Sequence, residues 1–343
     1  MKVSIQRLGL AFLVASTGFN SYAQTGDTKA PIDLVASAVD ISNTMKTYVY
    51  DRSVLVTPAY QKIQRDVLQL AQQARTQSEF VEGFNQIWKH GPFSHVQLAV
   101  AKHSAEQMTD YFDAMNAGGK GAILSWQGDV AVLTVNTMMG LDTISQIDAA
   151  YQTMTDRKAK ALIIDLRNNE GGAFAVRPLL SHVVSSKLDA GFFLSQRWTI
   201  AHQRLPDQAT IAGLTPWQGW SVKTFWRDVQ NNDVTRIQFE PTVPHFAGEV
   251  YVLTSKRTAS AAELATDALL ASGRATVIGE QTAGEMLSQK LYDLPQGLQL
   301  SLPIADYYGA HTGRIEGQGI KPNIMMTADA AMAHALTLAS SAK

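Results

Sequence analysis

Residues 258–263 read TASAAE and follow VYVLTS, an apolar segment of strand character. They run on into LATDALLASG, which has helical character. Ser260 therefore stands where a strand turns into a helix. Ser260 and Glu263 fit the S-x-x-E capping box, in which each side chain satisfies an orphan backbone N–H of the first helical turn. A strand-to-helix turn is also where several hydrolases carry a nucleophilic serine. The helix N-terminus supplies free N–H groups and partial positive charge, which would stabilise an alkoxide or a tetrahedral oxyanion, with the Ala261 N–H aimed at it. On this stretch alone capping is the commoner use of such a serine. A serine nucleophile needs a base within hydrogen-bond reach, itself oriented by a third group. His95, in FSHVQL between a Gly-Pro turn and a strand, is a candidate base, although a lone histidine there is more often structural. The stretch NNEGG (168–172) follows the apolar run ALIIDL and precedes a helix. Successive glycine N–H groups at the carboxyl end of a strand can form an anion-binding nest; the same residues also suit an ordinary tight turn.

Other chemistries lack their motifs. The sequence has no HExxH, no Walker A loop, no G-x-G-x-x-G after a strand and no G-x-S-x-G elbow. Its eight histidines show no metal-ligand spacing and it contains no cysteine. Thiol catalysis and disulfides are thereby excluded, and neither a metal nor a cofactor is expected.

These residues need a frame. The chain has 343 residues, 45% of them apolar and 17% charged, against a usual charged fraction of about 25%. The formal charge of −1 gives no basic field for nucleic acid. Lys2 and Arg7, the apolar run Leu8–Ser16 and the small-x-small site Ser21-Tyr22-Ala23 predict a signal peptide cleaved after about Ala23. That run is far shorter than the ~20 residues of a membrane span, so an exported, periplasmic or secreted protein of bacterial type is expected. Residues 24–117 read as an N-terminal helical subdomain, with three helices between Ile32 and Gly91, a strand at VQLAVA and a helix over 104–116. From 118 to 343 strands and helices alternate, which predicts an α/β core. Expected strands are 121–127 and 130–137 (a hairpin around Gly128-Asp129), 161–166, 191–197, 249–255, 275–280, 286–293 and 297–303. Expected helices are 143–157, one from NNEGGA to about Ser185, 260–272 and 328–340. Residues 198–245 hold Trp198, Trp217, Trp220 and Trp226 and read either as an insertion near the active face or as a helical core element.

ALIIDLRNNEGG, VYVLTSKRTASAAELATDAL, RATVIGEQTAG and GRIEGQGIKPNI occur in this order. Together, over about residues 120–330, they resemble the core of the C-terminal-processing (tail-specific) serine peptidases, a family that also holds the tricorn core protease and the interphotoreceptor retinoid-binding proteins. The resemblance implies a crotonase-like (ClpP/crotonase-type) mixed α/β sheet flanked by helices. It implies Ser260 as nucleophile, with the Ala261 N–H and that of Gly171 or Gly172 as oxyanion donors. Residues 96–120, too few for a PDZ domain, separate His95 from the first core strand, so no such domain is expected.

The tail-specific branch of that family places a lysine base just after GE-x-T-x-G. Here Gly279–Gly284 is followed by Glu285, and Lys290 falls on the opposite strand face. The tricorn-like branch instead uses a Ser-His pair and a late glutamate, which this chain matches with Ser94-His95 and Glu316. The implied tetrad is Ser260 as nucleophile, His95 as general base, Ser94 orienting His95, and Glu316 orienting Ser94 and His95. Glu170 and Glu285 depart from the family pattern of small residues, and a carboxylate beside an oxyanion site opposes the developing charge unless it is turned away. The resulting expectation is an exported serine peptidase acting on a peptide or protein through an acyl-enzyme. The alternatives are a non-catalytic binding module for apolar ligands or peptides on the same fold, and an esterase-like hydrolase using the same serine.

Overall fold

The computed structural model describes residues 32–341, so the expected signal peptide at 1–23 and the lead-in after it lie outside the described residues. The chain opens with helices α1 (Leu34–Tyr48), α2 (Pro58–Gln73) and α3 (Gln77–Trp88), then β1 (Gln97–Val100) and α4 (Ala105–Ala114). The hairpin β2 (Ala122–Gln127) and β3 (Val130–Val135) leads to α5 (Leu141–Asp156), β4 (Ala161–Asp165) and α6 (Val176–Ser181). Next come β5 (Leu188–Ser195), α7 (Gln196–Ala201), α8 (Gln208–Ala212), α9 (Val222–Asn231) and β6 (Val234–Phe239). The chain continues through β7 (Glu249–Thr254), α10 (Ala261–Ala271), β8 (Ala275–Gly279), β9 (Ser288–Leu294) and β10 (Leu298–Gly309). It ends with β11 (Gly313–Arg314), β12 (Ile324–Met325) and α11 (Ala328–Ser341).

Two sheets result, giving the mixed α/β architecture expected from the sequence. The first has the order β12-β8-β7-β4-β3-β2, parallel except for the β2–β3 hairpin. Every residue of β4 is buried, because helices cover both faces, and this is why ALIID carries no polar alternation before its final aspartate. Ala262, Ala265, Ala268 and Leu269 of α10 pack in one cluster with Leu162, Ile164 and Val252. Ala331, Ala335 and Ala339 of α11 pack with Ile163, Tyr251 and Leu253 from the alternate strand positions. The alanines let both helices approach the sheet closely.

The second sheet is antiparallel, in the order β1-β10-β5-β6, with β9 and β11 also paired to β10. The N-terminal helices are set by local chemistry. Asp33, Thr57 and Thr76 cap α1, α2 and α3 by accepting from the N–H groups of Ala36, Tyr60 and Glu79, and Pro58 opens α2. Their inward faces, including Ile41, Met45, Ile63, Phe80, Phe84 and Trp88, bury against Leu298, Leu300 and Leu302 of β10. Most of the expected elements are present within a few residues. The helix expected to run to Ser185 ends at Ser181, and His182 turns inward to bond Asp148 (2.9 Å) and the Pro244 carbonyl (2.7 Å). Residues 198–245 contain α8, α9 and the sheet-edge strand β6, with Trp226 inside the main core.

Phe84 is fully buried between α2, α3 and the β-sheet. Phe84→Ala is expected to lower stability by about 3–5 kcal/mol, measured as a reduced urea midpoint with an unchanged slope.

Candidate active site

β4 and β7 are parallel neighbours, so the loops leaving their carboxyl ends, 166–174 and 255–260, emerge side by side. Three hydrogen bonds to main-chain carbonyls tie them together, besides those of the Arg257 side chain. The Thr258 hydroxyl donates to the Leu166 carbonyl (2.9 Å), the Ser255 hydroxyl to that of Arg167 (2.5 Å), and the Ala259 N–H to that of Asn169 (3.1 Å). Ser260 sits at their junction with φ 53° and ψ −124°, a strained conformation for a residue with a Cβ. Its N–H is held by the Glu285 carbonyl (2.9 Å) and a Glu263 carboxylate oxygen (3.1 Å). Ser260 and Glu263 are arranged as the expected capping box, with the Glu263 carboxylate accepting from the Ser260 N–H and the Glu263 N–H donating to the main-chain carbonyl of Ser260 (2.8 Å).

Glu263 itself is fully buried. Besides Ser260, it accepts from the Thr282 hydroxyl (2.5 Å) and from the N–H groups of Gly284 (2.8 Å) and Glu285 (2.9 Å). Burial pushes its carboxyl up to about 7 against these four donors, each of which favours the ionised form.

The N–H groups of Ala261, next to Ser260, and of Gly172, next to Gly171, have no acceptor among the described residues. Of the two glycines expected there, Gly171 has its N–H committed to the Asn169 side chain (2.8 Å), which leaves Gly172 as the free donor. Asn169 is fully buried and also donates to the Val135 carbonyl (2.9 Å), so it locks the glycine turn to the neighbouring strand. Gly171 has φ +102°, and a Cβ there would lie 2.6 Å from Ser260 Cβ and 3.1 Å from the Ala261 nitrogen. Only glycine lets the turn come this close to the serine.

Ser94, His95 and Glu316 come together although more than 200 positions separate the first from the last. The Ser94 N–H donates to Glu316 Oε1 (2.9 Å) and its hydroxyl to Oε2 (3.0 Å), while the same hydroxyl lies 2.6 Å from His95 Nδ1. The Met286 N–H donates to Glu316 Oε2 (2.8 Å). Three donors on Glu316 call for an ionised carboxylate, although its burial raises the carboxyl above the usual range. The single proton of Ser94 then goes to Glu316. His95 must donate from Nδ1, which leaves Nε2 with its lone pair. His95 Nε2 and Ser260 Oγ make no hydrogen bond to one another. They belong to one network, because Met286, bonded to Glu316, directly follows Glu285, whose carbonyl holds the Ser260 N–H. Catalytic hydrogen bonds often close only around a bound substrate. Burial pulls the His95 imidazole down to about 4, so it is neutral at pH 7.

The acids that depart from the family pattern are accounted for. Arg257 holds Glu170 Oε1 through Nη2 (2.9 Å) and Nε (3.2 Å), which offsets its charge. Glu285 serves through its backbone, and its side chain is exposed. Lys290 donates to Gln230 on α9 (2.7 Å) and lies 5.6 Å from the centre of the Tyr292 ring. Beside Gly172, a cavity of about 400 Å³ is lined by Met138, Met139, Ile144, Phe174 and Trp220, with Asp113 at its edge. Asn169, Thr282 and this cavity had no sequence signal beyond residue type. No group of three or more His, Cys, Asp or Glu able to hold a metal occurs among the described residues.

The candidate site is thus a strand-to-helix serine turn beside a double glycine, at the carboxyl ends of two parallel strands. The model of peptidase family S41 matches residues 129–326, more than half of the chain, and the chain belongs to that family. The carboxyl-terminal-processing protease of Picosynechococcus sp. is 27% identical over 179 residues, which cover 52% of this chain and 35% of that protein. The chain thus spans about a third of the length of the curated relatives it matches. A lipoprotein from Streptococcus agalactiae shares the fold with a TM-score of 0.59 at 14% identity, covering 92% of this chain and 99% of the other. The photosystem II D1 C-terminal processing protease does so with a TM-score of 0.51 at 13% identity, covering 87% and 94%.

Gly171→Ala should cost about 1–3 kcal/mol through its positive φ plus the collision with Ser260. Gly128→Ala has φ +59° but open space around it. Urea unfolding of the two variants should show the larger loss for Gly171→Ala; equal losses would mean that the close approach to Ser260 costs nothing.

Proposed function

We propose that the chain is an exported serine peptidase that hydrolyses peptide bonds through an acyl-enzyme on Ser260. The observation that supports this most directly is the hydrogen-bonded chain from His95 through Ser94 to Glu316, which is linked through Met286 and Glu285 to a serine held at a strained strand-to-helix turn. His95 Nε2 takes the Ser260 proton as Oγ attacks the substrate carbonyl. The oxyanion that forms accepts from the N–H groups of Ala261 and Gly172. The imidazolium then gives its proton to the leaving amine, and water repeats the sequence in reverse on the ester. Glu316, acting through Ser94, favours the charged imidazole in the transition state. A depressed histidine is a weak base in the resting protein, and this ion relay offsets that when charge develops. Residues 24–117 are proposed as a helical subdomain that presents Ser94-His95 to the core at 118–343, and residues 1–23 as a cleaved signal peptide. The substrate is a peptide or protein, with no cofactor required. The apolar cavity beside Gly172 supports a second reading, a binding module for apolar ligands or peptides.

Labelling by a fluorophosphonate probe separates the two. Wild type should label, Ser260→Ala should not, and His95→Ala should label at least 100-fold more slowly, in keeping with the roughly 10²–10⁴-fold worth of a general base. Equal labelling of wild type and Ser260→Ala would sink the nucleophile assignment, and no labelling of the folded wild type would favour the binding module.

The pH dependence carries a sign. His95 must be neutral to act, and burial lowers it to about 4, so the acid limb of kcat/KM for peptide cleavage should lie near pH 4 rather than near 6.5. In stability, the unfolded histidine binds its proton first as pH falls. The contribution of a neutral buried His95 is therefore complete above about pH 6.5 and lost on falling toward 4. Denaturant midpoints between pH 4 and 7 should fall less steeply on acidification in His95→Ala than in wild type.

A further inference from the structure

Glu316 ends the chain that runs from His95 through Ser94, and it is buried. It lies two residues beyond Arg314 of β11, a strand of only two residues, so its own element does little to fix it. The Gly317 N–H donates to the Gly284 carbonyl (2.8 Å), and the N–H groups of Gln318 and Gly319 turn back onto the Ile315 carbonyl (3.0 and 2.9 Å). These bonds hold the main chain around Glu316 but bring no charge to it. Arg314 does both. Its Nε donates to Asp306 Oδ2 (2.6 Å) and its Nη1 to the main-chain carbonyl of Glu316 (3.4 Å). The guanidinium thus bridges β10, where Asp306 pairs with Leu194 of β5, to the residue that closes the relay.

The bridge is kept at a cost. Asp306 is buried, and its Oδ1 has no hydrogen-bond partner, which disfavours an anion there. Burial pushes the Asp306 carboxyl up to about 6, with Arg314 opposing the rise and Glu316 adding to it. Well-packed apolar residues could join β10 to β11 with no loss of stability, but they would leave Glu316 without a cation. Burial lifts the Glu316 carboxyl too, and Arg314 acts against that lift together with the Ser94 and Met286 donors. The other titratable groups nearby keep their protonation. Tyr50, whose ring meets Phe93 edge-on at 5.8 Å, and Tyr308, paired with Arg314, are both raised, by burial first and by Asp306 next. Asp51 acts on both tyrosines and accepts from the Ser53 N–H and hydroxyl (2.8 Å each).

The protonation state of Glu316 decides which nitrogen of His95 is free. With Glu316 ionised, the Ser94 hydroxyl gives its proton to Oε2, and His95 keeps its own proton on Nδ1. With Glu316 protonated, the direction reverses. The carboxyl donates to Ser94 Oγ, Ser94 donates to Nδ1, and the imidazole proton sits on Nε2, where it blocks acceptance from Ser260. We propose that Arg314, anchored on Asp306, is a positioning residue for the relay, whose charge holds Glu316 in its anionic form and so keeps His95 Nε2 free. This rests on the peptidase reading only in naming Ser260 as the group served.

The test reads Glu316 and His95 directly in the full-length protein. Carbon-13 NMR of labelled glutamate carboxyls is followed between pH 4 and 8, with Glu316→Gln identifying the signal. Arg314→Gln should raise the Glu316 midpoint by about one pH unit or more, the effect of losing an opposite charge at close range. Arg314→Lys, which keeps the charge, should restore most of the shift, and Asp306→Asn, which keeps Arg314, should not raise the midpoint. Should Arg314→Gln fail to fold with Asp306 unpaired, the double variant Asp306→Asn/Arg314→Gln leaves no lone charge in the pair and should show the same rise. Nitrogen-15 NMR should find the His95 proton on Nδ1 above the Glu316 midpoint and on Nε2 below it, a change that a merely structural arginine would not move. An unshifted midpoint in both Arg314→Gln and the double variant, or a His95 tautomer indifferent to Glu316, would overturn the proposal. Fluorophosphonate labelling of wild type reports on Ser260 separately. Where labelling occurs, Arg314→Gln should lose rate at a higher pH than wild type and recover toward it at pH 8. An unshifted midpoint with intact labelling defeats only the role of Arg314, and absent labelling with the shift present defeats only the peptidase reading.

Discussion

The Glu263 carboxylate is the constraint on which the site depends. It is fully buried, yet all four of its contacts are hydrogen-bond donors: Ser260 N–H, the Thr282 hydroxyl, and the N–H groups of Gly284 and Glu285. A buried anion with fewer donors would be too costly to keep. With four, it acts as a rivet between the first turn of α10 and the loop after β8. That rivet fixes the Ser260 nitrogen and so sustains a φ/ψ pair that a serine would otherwise leave. Thr282 extends the link, because its hydroxyl also accepts from the Ile320 N–H (2.7 Å) and so ties in the segment that follows Glu316.

A second buried carboxylate, Glu316, does for Ser94 and His95 what Glu263 does for Ser260. Both networks meet on consecutive residues, Glu285 and Met286, of the loop leading into β9. The parallel sheet carries the serine and the glycine turn, and the antiparallel sheet with its helical layer carries the Ser-His pair. The loop from 280 to 287 therefore transmits position between two separate cores. Leu287 belongs to the helical-layer core and Met286 to the main core, so the loop is anchored on both sides by packing as well as by hydrogen bonds.

The aromatic residues of 217–226 close the glycine side of the site. Trp226 is core, whereas Trp217 and Trp220 surround Phe174 just beyond the double glycine. Glu170 does not spoil the field of the oxyanion donors, because Arg257 takes its charge outward to an exposed ion pair.

Much of this was legible in the sequence, and for definite reasons. Periodicity marks the three N-terminal helices, the continuous run ALIID announces a strand covered on both faces, and VYVLTS followed by TASAAE announces a serine at a strand-to-helix turn. These are local consequences of side-chain spacing, capping and burial, so the residues themselves carry them. The family motifs add Ser94, His95 and Glu316 as a set. What the chain order does not carry is which donor meets which acceptor. Gly171 and Gly172 are equivalent in the sequence, and only the turn of the Asn169 side chain separates the bonded N–H from the free one. Glu263 looks like an ordinary cap until the loop 282–285 arrives from nineteen or more positions away to saturate it. The cavity arises where the end of α4, the start of α5, the turn after the double glycine and the segment leading into α9 meet. Local geometry follows from neighbours along the chain; hydrogen-bond saturation and its exceptions follow from neighbours in space, which only the tertiary structure decides.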